Sequence, residues 1–474
     1  MADVHRGDDI SLQHLPSSCR TTAGDIGDNE AATSPAMDSR QTRPQRKKSL
    51  ILLGACISQL PIWGFSISYG VFQEYYVRHW SLSGNPDVAG IIGTTQNGVL
   101  YLSLPFLFAA LSRRWARHRV IVAYSGALLA AIAFVLSSFS TQACQLVATQ
   151  GVLSALGCAL IYSPTTLSLG EWFSSDSIDG AHRSFVYGLT LSCKNIVGST
   201  VPFLIRAILE RYDFRTASRI WAAIVFSTGL ISITLIPTHP MHLEARDGTS
   251  SRNHPQRPIP WNFLRHKTFY IYAIASLLQS AGYGIPQTYL PTYALEVTHL
   301  SQTSATILLT VFNIPGIAAS SLIGYLAGRR WLSASTLTAV VATCTSLSAF
   351  LLWGLTSTGS LALLLLFSAT FGFFGGGYSA TWGGIVNELE NEAAHRNEPV
   401  DPGMIYGMLN GARGIGYVSG GLASVPLLKI GGLPSASNFG YASAYGPLIL
   451  FTGLSTVFGG WSLAWKWMAR ISRL

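Results

Sequence analysis

The chain alternates between long apolar stretches and short polar segments. Each apolar stretch has about 20 residues or more, the length that an α-helix needs to cross roughly 30 Å of hydrocarbon. The stretches fall at residues 49–77, 88–111, 120–139, 144–168, 183–208, 217–237, 267–295, 300–328, 334–356, 359–386, 403–428 and 444–468. A polar segment with several prolines, 238–266, separates the first six from the last six. The pattern predicts an all-α integral membrane protein with twelve transmembrane helices.

The composition agrees with a membrane protein. Of the 474 residues, 49% are hydrophobic and 11% are charged, whereas a soluble domain has about 25% charged residues. The net charge of +9 comes largely from Lys and Arg beside apolar stretches. The positive-inside rule explains those residues, so we expect no nucleic-acid partner. The same rule predicts cytosolic N- and C-termini, and we expect the plasma membrane, although an internal membrane such as that of the vacuole also fits.

Four regions follow from this pattern. Residues 1–48 are rich in Ser, Thr, Asp and Gly and predict a disordered cytosolic tail. Residues 49–237 predict a first six-helix bundle, and residues 267–474 predict a second one. The segment 238–266 between them is predicted to be a cytosolic linker.

The two predicted bundles resemble each other in sequence. Residues 69–73 read YGVFQ and residues 283–287 read YGIPQ, and further short matches recur in the same order at a nearly constant offset of about 216 residues. Because both halves have the same orientation, we predict two parallel six-helix repeats related by an axis along the membrane normal. Such repeats place a binding site near the membrane midplane between the halves.

One of these matches places a cation inside an apolar stretch of each half. Residues 187–198 read YGLTLSCKNIVG and residues 406–416 read YGMLNGARGIG, which aligns Lys194 with Arg413. A charge at the centre of a membrane helix costs roughly 2.5–3.5 kcal/mol on insertion scales and normally faces a polar cavity or a partner. We therefore predict that Lys194 and Arg413 bind a carboxylate or another organic anion. The alternative is a structural ion pair or a helix-capping contact within one half.

Six further residues at matching places in the two halves are candidate substrate contacts: Tyr187, Tyr406, Gln73, Gln287, Asn97 and Asn313. Each tyrosine precedes its cation by seven residues, which is nearly two helical turns and returns to the same helix face. The glutamines and asparagines would add amides to the cavity wall. Hydrogen bonds between helices are the alternative for the amides, and packing is the alternative for the tyrosines.

Three segments carry a resemblance to a known family: residues 69–76 (YGVFQEYY), 162–173 (YSPTTLSLGEWF) and 182–188 (HRSFVYG). Together with the six-plus-six repeat, they make the chain similar to the major facilitator superfamily and, within it, to the fungal form of the monocarboxylate porter family. The resemblance implies the major facilitator fold and proton-linked movement of a monocarboxylate.

The arginine-rich turns after the second and eighth stretches contain the candidate gating residues Arg113, Arg114, Arg329 and Arg330. Both turns lack the aspartate of the superfamily's GxxxDRxGRR motif, but their arginines can still bind helix C-termini or lipid phosphates. The Asp/Arg pair found in the eighth span of the animal transporters is also missing. The remaining candidates for proton coupling, Glu74, Glu171 and Glu296, lie near span ends, so uniport, antiport and symport stay open.

We predict a secondary active transporter, monomeric and in contact with membrane lipids, that takes up or exports a small organic anion such as a fungal secondary metabolite. The alternative is a nutrient sensor that keeps the transporter fold. The chain has no HExxH, GxSxG or GxxxxGK motif, so we expect neither an enzyme nor an ATP-driven motor. No CxxC or His/Cys cluster occurs, and we expect no metal and no cofactor.

Overall fold

The computed structural model describes residues 39–79, 88–112, 115–174, 180–236, 261–327, 332–432 and 439–471. The chain divides into two compact units, Met1–Gln45 and Arg46–Leu474. Nearly all described residues belong to the second unit, and they are helical, with no β-strand among them. The candidate gating residues Arg113, Arg114, Arg329 and Arg330 lie outside the described residues, so their role stays a prediction.

The first half of the chain contains eight of the described helices. They are α1 (Ser39–Ile57), α2 (Gln59–Arg78), α3 (Ala89–Ser112), α4 (Arg119–Ser137), α5 (Ala143–Leu146), α6 (Ser154–Ser174), α7 (Gly180–Arg211) and α8 (Phe214–Thr234). A π-helical segment, Val147–Leu153, joins α5 to α6 without a break. Ser58 alone separates α1 from α2, so the two cover one predicted span.

The second half also contains eight described helices. They are α9 (Lys267–Glu296), α10 (Gln302–Ala327), α11 (Ala334–Leu347), α12 (Leu361–Gly377), α13 (Trp382–His395), α14 (Pro402–Ile430), α15 (Gly446–Phe458) and α16 (Ser462–Ile471). The π-helical segment Ser348–Trp353 extends α11, and the 3₁₀ turn Tyr378–Thr381 links α12 to α13.

The described helices confirm an all-helical membrane protein. Seven helical stretches are long and apolar enough to cross a membrane, or eight if α15 and α16, which meet at 42°, form one bent span. Large apolar side chains on the described helices face outward, including Phe106, Ile121 and Ile430. Such an exposed apolar surface is typical of contact with lipid. Within the described residues, each of the twelve predicted spans coincides with one helix or with consecutive helices separated by at most three residues.

Two boundaries differ from the sequence predictions. Helix α1 begins at Ser39, inside the predicted tail. The 3₁₀ helix Asn262–Arg265 lies inside the predicted linker, most of which falls outside the described residues. Packing explains this short helix, because Phe263 is fully buried and its ring lies 5.2 Å from that of Phe269 at the start of α9. Burying a large apolar ring stabilises local structure that a polar, proline-rich segment does not predict.

Most contacts between the described helices of the first half and those of the second are made by three helix pairs, namely α3 with α14, α7 with α10, and α2 with α9. In the first pair, a Cβ added to Gly414 would lie 2.7 Å from the carbonyl oxygen of Gly98. The two backbones therefore touch, as small residues allow between membrane helices. This contact brings the neighbouring Arg413 of α14 against α3.

Candidate anion-binding site

A small, partly open cavity lies between helices of the two halves of the chain. Its lining residues are Ile67, Leu191, Lys194, Asn195, Tyr283, Gln287, Asn313, Ser320, Gly376, Ser379 and Arg413. The structure thus brings together four of the eight predicted substrate contacts: Lys194, Arg413, Gln287 and Asn313. Apart from the two cations, the polar lining consists of amides and hydroxyls that can donate hydrogen bonds.

Arg413 is almost completely buried, with 5% of its surface exposed. Its guanidinium carbon lies 5.0–5.8 Å from the centres of four aromatic rings, those of Tyr101, Tyr283, Trp382 and Tyr417. Ring faces attract a cation but accept no conventional hydrogen bond. The Nε atom of Arg413 has no hydrogen-bond partner within the described part of the chain. A guanidinium held in this way keeps donors available for a ligand.

Lys194 reaches the same region from α7. Its Nζ atom lies 3.9 Å from the centre of the Trp63 ring and donates a hydrogen bond of 3.3 Å to the hydroxyl of Tyr101. The hydroxyl end of Tyr101 therefore contacts Lys194 while its ring contacts Arg413. One phenol lies between the two cations.

The cations have no acidic partner among the residues that the structure describes. The carboxylates that the sequence offered for proton coupling are engaged elsewhere. Glu74 pairs with Arg206 at 2.9 Å, Glu171 pairs with Arg119 at 2.6 Å, and Glu296 accepts a hydrogen bond of 2.8 Å from Tyr445. The structural ion pair that was the alternative interpretation of Lys194 and Arg413 is therefore not formed within the described ranges.

The two predicted amides of the cavity, Asn313 and Gln287, differ in their hydrogen bonding. Asn313 donates from Nδ2 to the carbonyl oxygens of Leu309, at 2.8 Å, and of Gly198, at 3.2 Å, so it joins α10 to α7. Its Oδ1 faces Gly198, where a Cβ would lie 2.6 Å away. Gln287 is 8% exposed and forms no side-chain hydrogen bond with any other described residue. The amide of Gln287 is therefore free to bind a ligand.

The other four predicted contacts lie outside the cavity lining. Gln73 accepts a hydrogen bond from Thr292, and Asn97 donates to the carbonyl of Gly93 in its own helix at 3.2 Å. Tyr187 donates to the carbonyl of Thr166 at 3.4 Å, and the Tyr406 ring packs edge-on against Trp382 at 5.4 Å. Direct contact of these four residues with a substrate stays a prediction.

Sequence reasoning missed most of the aromatic residues around the cations. Trp63, Tyr101, Tyr417 and Tyr283 form a continuous row of rings, with centre-to-centre distances of 5.2, 5.7 and 6.3 Å. For two of these rings, the spacing along the sequence indicates a position in the cavity. Tyr101 follows Asn97 by four residues and Tyr417 follows Arg413 by four residues, a spacing that places both on the predicted cavity face of their helices. Trp63 offered no comparable signal.

Comparison with known proteins places the chain in a family. Among its relatives, the "MFS-type transporter" of Gibberella moniliformis is 25% identical over 68% of this chain and 72% of its own length. The "MFS-type transporter pynF" of Aspergillus niger is 23% identical over 88% of this chain and 90% of its own length. "Monocarboxylate transporter 12" of Homo sapiens is 26% identical over 53% of this chain and 52% of its own length.

A solved structure shares the fold. The nucleoside transporter NupG, determined as a point mutant, superposes with a TM-score of 0.63 at 15% identity, covering 88% of this chain and 99% of NupG. A sequence profile of the Major Facilitator Superfamily matches residues 51–421. The chain therefore belongs to the major facilitator superfamily of membrane transporters.

Proposed function

We propose that the protein is a secondary active transporter that moves a small organic anion across a membrane by alternating access. The observation that carries this proposal is the shared cavity of Lys194 and Arg413. The two cations come from opposite halves of the chain, and no carboxylate of the described residues neutralises them. An anionic ligand is the partner that such a cavity lacks.

The proposed transporter has twelve spans in two parallel repeats. Eight of the spans are helices long and apolar enough to cross a membrane, if the bent pair α15 and α16 counts as one. The other four are α3, α7, α9 and α14, all long enough to cross a bilayer. These four helices supply Tyr101, Lys194, Gln287 and Arg413. Their lower hydropathy is what helices with a polar, cavity-lining face require.

An anion in the cavity would bind both halves at once. Arg413 can donate two parallel hydrogen bonds to a carboxylate, and Lys194 adds a more flexible point charge from the other half. Binding therefore favours a state in which α7 and α14 approach the anion together. The relatives from Gibberella moniliformis, Aspergillus niger and Homo sapiens are all named as transporters, which supports the proposed function. The proposed location is the plasma membrane with cytosolic termini, and both import and export agree with this mechanism.

Replacing each cation by glutamine tests the proposal. Transport of organic anions would be measured in proteoliposomes that contain the purified protein, with a panel of labelled mono- and dicarboxylates. We expect Lys194→Gln and Arg413→Gln each to lower transport at subsaturating substrate by about tenfold or more, since a hydrogen bond to a charged group contributes roughly 1.5–3 kcal/mol.

Matched controls remove a cation of the same helix that lies outside the cavity. Arg211→Gln on α7 and Lys429→Gln on α14 should transport at the wild-type rate. If the cavity variants are inserted normally and transport anions as fast as these controls, the cavity is not the anion site and the proposal fails.

A further inference from the structure

The cavity contains two positive groups and, within the described ranges, no negative group. A ligand with one carboxylate would neutralise only one of them. The second cation would then stay inside the protein without a counter-charge, which is unfavourable in a region of low dielectric. The aromatic faces of Trp63 and Tyr101 moderate this cost because they attract a cation, but they carry no net charge.

We propose that the preferred substrate is a dicarboxylate in its dianionic form, with one carboxylate at Arg413 and the other at Lys194. This inference rests on the proposed function and specifies the substrate class of the same cavity. It differs from the monocarboxylate that the sequence resemblance implies. In this arrangement Arg413 binds the first carboxylate bidentately, and Lys194 determines whether the second one is accepted.

The positions of the cations agree with a short dicarboxylate. Nζ of Lys194 is 3.3 Å from the hydroxyl oxygen of Tyr101, and the guanidinium carbon of Arg413 is 5.0 Å from the centre of the same ring. Both cations therefore contact the same phenol, which keeps them close enough for the two ends of one short dicarboxylate to reach. The free amide of Gln287 lines the same space and can donate to a carboxylate oxygen.

A matched series of ligands tests this assignment. The series contains malonate, succinate, glutarate, adipate and phthalate, and each diacid is compared with its own monomethyl ester, which has nearly the same size and one charge less. The full-length protein is purified in detergent at about pH 6.5–7, where both carboxyl groups of each diacid are already ionised. Binding is measured as the ligand-dependent rise in unfolding temperature, which reports affinity for the folded state.

We expect at least one diacid to bind the wild-type protein about tenfold or more tightly than its monoester. Lys194→Gln should abolish that preference by weakening the diacid much more than the monoester. Arg211→Gln, the control on the same helix, should retain the preference. Because the wild-type comparison needs no variant, poor folding of Lys194→Gln would not prevent the test.

The other outcomes separate this inference from the proposed function. If monoesters bind as tightly as the diacids or more tightly, the dicarboxylate assignment is wrong while an anion site remains. If Lys194→Gln weakens both members of a pair equally, Lys194 does not select for the second charge and the assignment is also wrong. If no diacid and no monoester binds, the proposed function fails together with the inference.

Discussion

Tyr101 contacts the two cations of the cavity through different parts of one side chain. Its hydroxyl accepts a hydrogen bond from Lys194, and its ring lies against Arg413. A hydrogen bond from a charged donor contributes roughly 1.5–3 kcal/mol, and a cation–π contact contributes roughly 0.5–2 kcal/mol depending on solvent exposure. Tyr101 can therefore hold both cations in position without neutralising either, which leaves their charge available to a ligand.

Two substitutions of Tyr101 separate these contacts. Tyr101→Phe keeps the ring beside Arg413 but removes the hydrogen bond to Lys194, so we expect the KM for the transported anion to rise severalfold, up to about tenfold. Tyr101→Leu removes both contacts, and we expect a larger rise. The measurement is the concentration dependence of anion transport in proteoliposomes.

A tyrosine on the outer surface provides the control for this pair. Tyr270 of α9 is 50% exposed, and Tyr270→Phe should leave the KM unchanged. If neither Tyr101→Phe nor Tyr101→Leu changes the KM, Tyr101 does not position the cations. Its contacts with them would then have no effect on transport.

Between elements, α3 and α14 approach each other backbone to backbone at two glycines. Gly98 and Gly414 each lie where a Cβ would approach the other's carbonyl oxygen, at 3.1 and 2.7 Å respectively. A side chain at either position would separate the helices locally. Because Arg413 precedes Gly414 and Tyr101 follows Gly98 by three residues, the same separation would change the distance between the guanidinium and the phenol.

Gly414→Ala should therefore impair both stability and transport. Overpacking of this kind costs about 1–3 kcal/mol, and we expect a lower unfolding temperature in detergent together with a raised KM. Gly383→Ala is the matched control, since a Cβ at Gly383 would meet no atom within 4 Å. A Gly414→Ala protein as stable and as active as the Gly383→Ala protein would show that α3 and α14 can separate without cost.

The sequence predicts the positions of the helices and the presence of Lys194 and Arg413 in one cavity, because both follow from local patterns of apolar and charged residues. A membrane helix requires an uninterrupted apolar stretch, and a cation inside such a stretch is conspicuous. The row of aromatic rings around the cations cannot be predicted in this way. The residues on either side of Trp63 do not distinguish it from an aromatic residue that only packs in the core. The twelve-span count and the two-bundle division stay predictions.

The internal repeat also shows where sequence reasoning reaches its limit. Gln73 and Gln287 occupy matching places in the two halves, so the repeat predicts equivalent roles. Instead, Gln73 is bonded to Thr292, whereas Gln287 lines the cavity. The repeat predicts matching places for the two glutamines, but their contacts between the halves are not symmetric. Which member of a pair faces the cavity therefore depends on tertiary structure.

For the molecule as a whole, alternating access requires that contacts between the halves break and form again. The hydrogen bond between Gln73 of α2 and Thr292 of α9 is one such contact, and the bond from Asn313 of α10 to Gly198 of α7 is another. Gln73 and Thr292 lie in the last two turns of α2 and α9, beyond the middle of each helix. We infer that the contact between Gln73 and Thr292 closes one side of the cavity and opens in the proposed transport mechanism.

Linking the first of these contacts should stop transport reversibly. In a Gln73→Cys/Thr292→Cys protein, a short, reducible methanethiosulfonate cross-linker would tie α2 to α9, and we expect transport to fall to the background rate and to recover after reduction.

The control is Ser138→Cys/Arg219→Cys, which links two residues of the first half whose side chains are 3.0 Å apart. Because both of its sites move with the same half, this cross-link should leave transport unchanged, as should the reagent on the wild-type protein. Full transport by the protein linked at positions 73 and 292 would mean that the halves do not separate at this contact, and the rocking movement would have to occur elsewhere.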